Sequence, residues 1–159
     1  MDQATALFVD RLDYNEAVDI EARYDDFLNE IYDLSALGGP FSCLQAAKVI
    51  KEFSPTDYRC GCVDYADGQD WTEGPDGETY ETRYLENLRD EIDDELDSEI
   101  SDLEEEADGL ELELDDLDAS YDCPSSKCDQ ETAIQEAIET KRTEAARLEA
   151  IRADLKKLF

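Results

Sequence analysis

Two long runs of apolar residues with helical spacing occupy the second half of the chain. Within each run an apolar position recurs every three or four residues, which is typical of a long helix with a coiled-coil face. The first run consists of Leu85, Leu88, Ile92, Leu96, Ile100, Leu103, Ala107, Leu110, Leu114 and Leu117. The second consists of Ile134, Ile138, Lys141, Ala145, Leu148, Ile151, Leu155 and Leu158, with Lys141 as its one polar member. The pattern predicts two long helices.

The segment between the two runs predicts a reversal of the chain. Residues 120–128 contain a proline and two adjacent serines, which interrupt the helical pattern. If the chain turns back there, Leu117 meets Ile134 and the apolar positions pair along both helices. Residues 80–159 are therefore predicted to form an acidic antiparallel coiled-coil hairpin with its loop near 120–128. Gly109 inside the first helix is expected to bend it without breaking it.

Residues 1–79 are predicted to form a smaller N-terminal helical cap, so the chain as a whole is expected to be mainly α. Residues 14–34 place a stripe of apolar side chains on one side of a helix. A capping box of Ser42 and Gln45 predicts the start of a second helix, which runs to Phe53.

Two further elements are expected before the hairpin. Ser54 and Pro55 are a typical N-cap and first helical residue, and they predict a helix that runs to about Ala66. Residues 71–80 are rich in turn formers and nearly symmetric about a Gly-Pro-Asp-Gly sequence. This segment predicts a short β-hairpin that brings Trp71 near Tyr80, with a plain loop as the alternative.

Acidic residues far outnumber basic ones, and they are unevenly distributed along the chain. The 159 residues include 45 Asp and Glu against 14 Lys and Arg, with no His, and the net charge is −31. Residues 80–119 hold 19 acids and 2 bases, a net charge of −17, whereas residues 129–159 hold 7 acids and 6 bases. More than half of the net charge therefore lies on the first helix of the predicted hairpin.

This charge excludes several classes of function. Wrapping a nucleic acid requires clustered Lys and Arg, and anionic membranes repel such a chain. Without His, the commonest general base is missing, and no nucleophile stands beside a basic partner. The chain is therefore expected not to be an enzyme. It shows neither a secretory signal nor a membrane-spanning stretch, so a cytoplasmic location is expected.

The outward positions of the acidic helix are the candidate partner-binding residues. Forty helical residues span about 60 Å, so the net charge of this helix is roughly one per 3.5 Å, close to that of a single DNA strand. The alternative is an ordinary solvated face. Leu112, which falls at an outward position among acids, is a candidate apolar contact to a partner. The candidate set is Asp90, Asp94, Asp97, Asp102, Glu105, Asp108, Leu112, Asp115 and Asp116.

The cysteines are a weaker candidate site. Cys60, Cys62, Cys123 and Cys128 could in principle hold a Zn²⁺ ion, but the usual spacing of paired zinc ligands is absent. A disulfide between Cys123 and Cys128, or simple free thiols, are the alternatives. No cofactor is expected from this pattern.

The acidic helix resembles a class of proteins. Its sequence DEIDDELDSEISDLEEEADGLELELDDLD and its helical period are similar to those of the DNA-mimic inhibitors of phages and mobile elements, which include antirestriction and anti-CRISPR proteins. The resemblance covers about a quarter of the chain and involves no specific motif. It implies a protein that presents carboxylates where a nuclease or surveillance complex expects phosphates.

The hypothesis that follows is a non-enzymatic inhibitor in the host-cell cytoplasm. Its partner would be a basic nucleic-acid-binding protein of host defence, and it would contact neither nucleic acid nor membrane. The alternative is a coiled-coil interaction or assembly protein, which could homodimerise and whose acidity would serve solubility or salt adaptation. A salt titration separates mimicry from assembly through the apolar seam, because the complex of a mimic should weaken steeply as salt rises and seam-driven assembly should hardly change.

Overall fold

The fold is mainly α, as predicted. The computed structural model describes residues 2–41, 43–119 and 124–158. Within these ranges lie six α-helices and one antiparallel pair of strands. They are α1 (Gln3–Arg11), α2 (Ile20–Ile31), α3 (Ala46–Phe53), α4 (Pro55–Asp67), β1 (Trp71–Glu73), β2 (Thr79–Glu81), α5 (Thr82–Ala119) and α6 (Pro124–Leu155).

The chain forms two compact units. One contains residues 1–12 together with residues 86–159, and the other contains residues 13–85. The first twelve residues are therefore part of the unit that contains the hairpin, whereas the sequence division at residue 79 grouped them with the cap.

Helices α5 and α6 bury the apolar seam, which is the set of eighteen positions in the two runs of the sequence. Every one of these positions is buried or partly buried. Ile92, Leu96 and Ile100 of α5 and Leu148 and Leu155 of α6 are among the buried core residues. The three- and four-residue spacing therefore identified the inward faces of both helices correctly.

The cross-helix ion pairs show that α5 and α6 run antiparallel. Lys141 near the middle of α6 pairs with Glu106 of α5, whereas Arg152 near the end of α6 pairs with Asp93. Positions later in α6 thus meet positions earlier in α5, which is the predicted order. Gly109 lies within α5, and the helix continues through it.

Helix α1 packs against the hairpin within the same unit. Its first turn is capped by Asp2, whose side chain accepts a hydrogen bond of 2.7 Å from the backbone N–H of Thr5. Ala4 and Phe8, one turn apart, are buried, and Phe8 is fully so. Arg11 pairs with Glu95 of α5 at 2.7 Å. Burial of one apolar stripe against the hairpin explains why so short a helix is stable.

In the second unit, the predicted helix over 14–34 is shorter than expected. Helix α2 begins at Ile20, because Asp19 caps it by accepting a hydrogen bond of 3.0 Å from Ala22 N–H. The preceding Tyr14–Glu16 forms a separate 3₁₀ turn. The prediction that the helix begins at residue 14 is therefore wrong. The residue that caps a helix at its start has a non-helical backbone, so α2 cannot extend back past Asp19.

The predicted capping box is also wrong. Helix α3 starts at Ala46 with Gln45 as its N-cap, and Gln45 makes no side-chain capping bond; Ser42 lies outside the described residues. The free N–H of Ala47 is instead satisfied from α2, where Asn29 Oδ1 accepts it at 3.1 Å. A tertiary contact thus replaces the local cap. Helix α4 does begin at Pro55, as predicted.

These three helices of the second unit share an aromatic core. The buried side chains are Tyr24 and Leu28 of α2, Ala47 of α3 and Tyr58 of α4. Tyr24 packs on Tyr58 with ring centroids 5.2 Å apart. The apolar stripe predicted for residues 14–34 thus supplies two of the four core residues.

The predicted β-hairpin is present. Thr72 pairs with Tyr80, and Trp71 pairs with Glu81. Because neighbouring residues of a strand point to opposite faces, Trp71 and Tyr80 lie on different faces of the ribbon. Tyr80 is fully buried, and its hydroxyl donates to Asp76 at 2.8 Å. The turn uses Gly77 with a φ of 88°, which favours glycine.

Candidate partner-binding surface

The carboxylates of α5 include two groups that differ in whether a base of another helix pairs with them. Those of the inward group are neutralised within the chain, by Arg152, Lys141 and Arg142 of α6 and Arg11 of α1. This inward group consists of Asp93, Glu95, Asp97, Glu106 and Glu111.

One of these internal contacts joins Asp93 to Arg152 through two hydrogen bonds. Arg152 Nε donates to Asp93 Oδ1 at 2.7 Å and Nη2 donates to Oδ2 at 3.2 Å. Hydrogen bonds from Arg152 lower the pKa of Asp93 below its usual range, and Lys156 contributes further. The pKa of Glu95 is lowered in the same way by Arg11. These acids therefore serve the fold.

The outward carboxylates of α5 are different. Within the part of the chain that the structure describes, eleven of them are exposed and have no ion-pair partner. We call this set the acidic ridge. It consists of Glu86, Glu91, Asp94, Glu99, Asp102, Glu104, Glu105, Asp108, Glu113, Asp115 and Asp116.

Six of the nine predicted partner-binding residues lie on this ridge. Asp97, although exposed, turns to Arg152 and belongs to the inward group. Asp90 is exposed and pairs only with its neighbour Arg89, at 2.9 Å; such surface pairs contribute little. Leu112 is 69% exposed. The remaining six are Asp94, Asp102, Glu105, Asp108, Asp115 and Asp116.

The ridge is long and dense in charge. Thirty residues separate Glu86 from Asp116, which is about 45 Å of helix at 1.5 Å per residue. Eleven carboxylates over that length are about one per 4 Å, compared with one phosphate per about 3.4 Å along a single DNA strand. A continuous helix holds them over more than half of its circumference, so their spacing does not depend on a flexible chain.

Leu112 stands among these carboxylates. Its position is outward, and Asp108, Asp115 and Asp116 lie within one turn of it. An isolated exposed leucine is ordinary on a protein surface. Here it adds an apolar point to a surface that otherwise offers only carboxylates.

The structure describes three of the cysteines as free. Cys43 and Cys60 are exposed, and Cys62 is partly buried, which raises the pKa of its thiol. Cys60 and Cys62 are two residues apart on α4 and so point about 200° apart around the helix. The side chains of Cys123 and Cys128 lie outside the described residues. Among the described residues, no cluster of three or more metal-ligating side chains exists.

One polar cluster was not predicted from the sequence. Asp25 accepts hydrogen bonds from Lys51 at 2.9 Å and from Tyr58 at 2.6 Å. Burial and Asp25 raise the pKa of Tyr58 to about 12, and the pKa of Lys51 is also raised, chiefly by Asp25. Neither group is therefore activated for proton transfer near neutral pH, and the cluster ties α2, α3 and α4 together.

Comparison with known proteins found no matching protein family, no matching curated protein and no matching solved structure. Any function must therefore be argued from the chain itself. None of the helices in the described ranges is both long and apolar enough to cross a membrane.

Proposed function

We propose that this protein is a non-enzymatic DNA mimic that inhibits a nucleic-acid-binding protein of host defence, such as a restriction or CRISPR complex. The observation that carries the proposal is the acidic ridge, in which eleven exposed carboxylates follow one helix with no ion-pair partner among the described residues. Like charges one turn apart destabilise a helix. So many unneutralised carboxylates on one helix therefore cost stability that a binding role would explain.

In the proposed mechanism, ridge carboxylates take the places of phosphates against Lys and Arg of the partner's nucleic-acid channel. Long-range attraction would speed association at low ionic strength. The rigid helix loses less conformational entropy on binding than a disordered acidic tail would. Leu112 would make a small apolar contact with the partner, between the pairs of opposite charge.

A four-site variant tests the mechanism. In the ridge variant, Asp94→Asn, Asp102→Asn, Glu105→Gln and Asp116→Asn are combined; Asp97 is kept because it pairs with Arg152. The control variant removes four exposed charges from the other unit, with Asp26→Asn, Glu30→Gln, Glu52→Gln and Asp67→Asn. Both variants carry the same net charge, so charge alone cannot distinguish them.

The measurement is inhibition of DNA binding by a panel of purified restriction endonucleases and CRISPR effector complexes. We expect the wild type to displace duplex DNA from at least one of them, with potency that falls steeply as salt rises. The ridge variant should lose about tenfold or more in potency, whereas the control variant should stay close to wild type. Equal losses in both variants, or no displacement by the wild type anywhere in the panel, would reject the proposal.

A second candidate is a coiled-coil interaction protein whose acidity serves solubility or salt adaptation. It is favoured by the charge of the other unit, because residues 13–85 contain 17 acids and 5 bases, a net charge of −12, without a long helix. If the acidity serves salt adaptation, helical circular dichroism should be lost in dilute buffer and recover at molar salt. DNA mimicry requires a protein that is folded at low salt, where its attraction to a basic channel is strongest.

A further inference from the structure

A shallow groove runs between α5 and α6, within the unit that contains the hairpin. Its floor is made of small or apolar side chains, with Ala107, Ala145 and Ile138 buried and Leu114 partly buried. Two adjoining cavities, of about 510 and 420 Å³, form it, and they share Arg142 and Ala146. The alanines on the floor explain the groove, because they leave space that larger side chains of a coiled coil would fill.

The groove does not lie under α1. Helix α1 reaches α6 at Arg147, whose Nε donates to Gln3 at 3.5 Å. Arg142, which lines the groove, is five residues earlier on α6, and that is about 140° around the helix. The hairpin therefore has one face covered by α1 and another open face with an apolar floor.

The walls of the groove are acidic. Glu104, Asp108 and Glu111 line it from α5, and Glu139 and Glu149 line it from α6. Among the described residues that line the groove, the single base is Arg142, which already pairs with Glu111 at 2.7 Å. An occupant of this groove therefore needs an apolar face flanked by positive charge.

The chain itself provides an example of such an occupant. Helix α1 buries Ala4 and Phe8 against the hairpin and directs Arg11 to Glu95 of α5. It combines a narrow apolar stripe with a flanking cation, which is the chemistry that the open groove would accept. From Gln135 to Glu149 the groove spans about 21 Å, the length of a helix of roughly 14 residues.

We propose that this groove binds a basic amphipathic helix of a partner protein. Apolar side chains at helical spacing would lie on the alanine floor, and flanking Lys or Arg would pair with the acidic walls. The groove shares Glu104 and Asp108 with the acidic ridge, but none of the four residues changed in the ridge variant lines it, so the two proposals can be tested separately. A second copy of this chain is disfavoured as the occupant by its net charge of −31.

The probe is a fluorescein-labelled 16-residue peptide of Leu and Lys, with Leu at amphipathic helical spacing. A scrambled peptide of the same composition has the same charge without an apolar stripe. Binding to the full-length protein is measured by anisotropy at about 0.15 M salt, where attraction between exposed charges is partly screened. We expect the amphipathic peptide to bind about tenfold or more tightly than the scrambled one.

Two variants locate the site. Ala146→Arg places a large positive side chain in the groove, whereas Ala150→Arg makes the same change one turn further along α6, at an exposed position outside the groove lining. The first should weaken peptide binding about tenfold and the second less than twofold. Should Ala146→Arg fail to fold, Glu139→Lys serves instead, because it reverses one wall charge at an exposed position.

Several outcomes would overturn the proposal. Equal binding of both peptides would show charge attraction alone, and equal effects of the two arginine substitutions would place the peptide elsewhere. Dimerisation of the wild type in sedimentation, abolished by Ala146→Arg, would make a second copy the occupant. The ridge variant should retain peptide binding, so failure of DNA mimicry and failure of the groove can be told apart.

Discussion

Arg152 Nε lies 2.7 Å from Asp93 Oδ1, and this hydrogen-bonded ion pair joins α6 to α5. Both side chains are less than one third exposed, at 28% and 21%. The very next residue, Asp94, is exposed and has no ion pair among the described residues. Two adjacent aspartates of α5 thus have different roles, one in the fold and one on the surface.

Asp93→Asn is therefore expected to lower the free energy of unfolding by about 1–2 kcal/mol at pH 7, since it removes a charged hydrogen-bond acceptor from a partly exposed pair. Asp94→Asn should change it by less than about 0.5 kcal/mol or raise it slightly, because one repulsive charge disappears. Urea unfolding followed by circular dichroism measures both. A larger loss for Asp94→Asn than for Asp93→Asn would contradict this assignment.

The Asp93 effect should depend on pH in a defined direction. Arg152 lowers the pKa of Asp93 in the folded protein, so the stabilisation is fully present above about pH 4, the pKa of an unfolded aspartate. It is lost as the pH falls through the lowered pKa of the folded state. The stability difference between wild type and Asp93→Asn should therefore shrink below about pH 4. A difference that stays constant down to pH 2 would contradict the ion pair.

Tyr58 predicts a loss of stability at alkaline pH. Its pKa is raised to about 12 by burial and by Asp25, whereas an unfolded tyrosine ionises near 10. A raised pKa in the folded state contributes stability below pH 10, and that contribution is lost as the pH rises towards 12. Tyr58→Phe should lose less stability over this range than the wild type does. Parallel curves for the two proteins would show that Tyr58 does not cause the change.

Two glycines in helices are expected to respond oppositely to alanine. At Gly109 of α5 an added Cβ meets nothing within 4 Å, so Gly109→Ala should stabilise the protein by about 0.5–1 kcal/mol through helix propensity. At Gly61 of α4 the same atom would overlap Tyr24 Oη, so Gly61→Ala should destabilise its unit. Thermal unfolding reports both. Destabilisation by Gly109→Ala would indicate that α5 is not a regular helix there.

Substitution of two leucines tests which face of α5 is buried. Leu96 is 6% exposed and Leu112 is 69% exposed. Leu96→Ala should cost about 2–5 kcal/mol because it leaves a cavity in the seam, whereas Leu112→Ala should cost less than about 0.5 kcal/mol. Similar costs at both sites would place Leu112 in the core and remove it from the partner-binding surface.

The hairpin could be predicted because its two helices carry long periodic signals. Over about nine turns, a single residue that departs from the pattern, such as Gly109, does not change which face of the helix is apolar. The outward positions followed from the same period, which is why six of nine predicted surface residues lie on the acidic ridge. The ion pair of Asp97 could not be predicted from this period, because its partner Arg152 is 55 residues away in the chain.

The starting points of the short helices depend on contacts that a local sequence pattern does not show. Asp19 capped α2 six residues later than the apolar stripe suggested, and Asn29 capped α3 in place of a nearby serine. Helix α1 has only nine residues, too few to show a periodic apolar pattern. Its burial depends on the surface that α5 and α6 create.

The amino-acid sequence alone determined the mainly helical class, the antiparallel hairpin and the concentration of acid on its first helix, because these follow from residue spacing and charge. Only the tertiary structure decided which carboxylates are neutralised, where α1 packs and where alanines leave an open groove. Those features depend on distances between residues remote in sequence, and such distances exist only after the chain has folded.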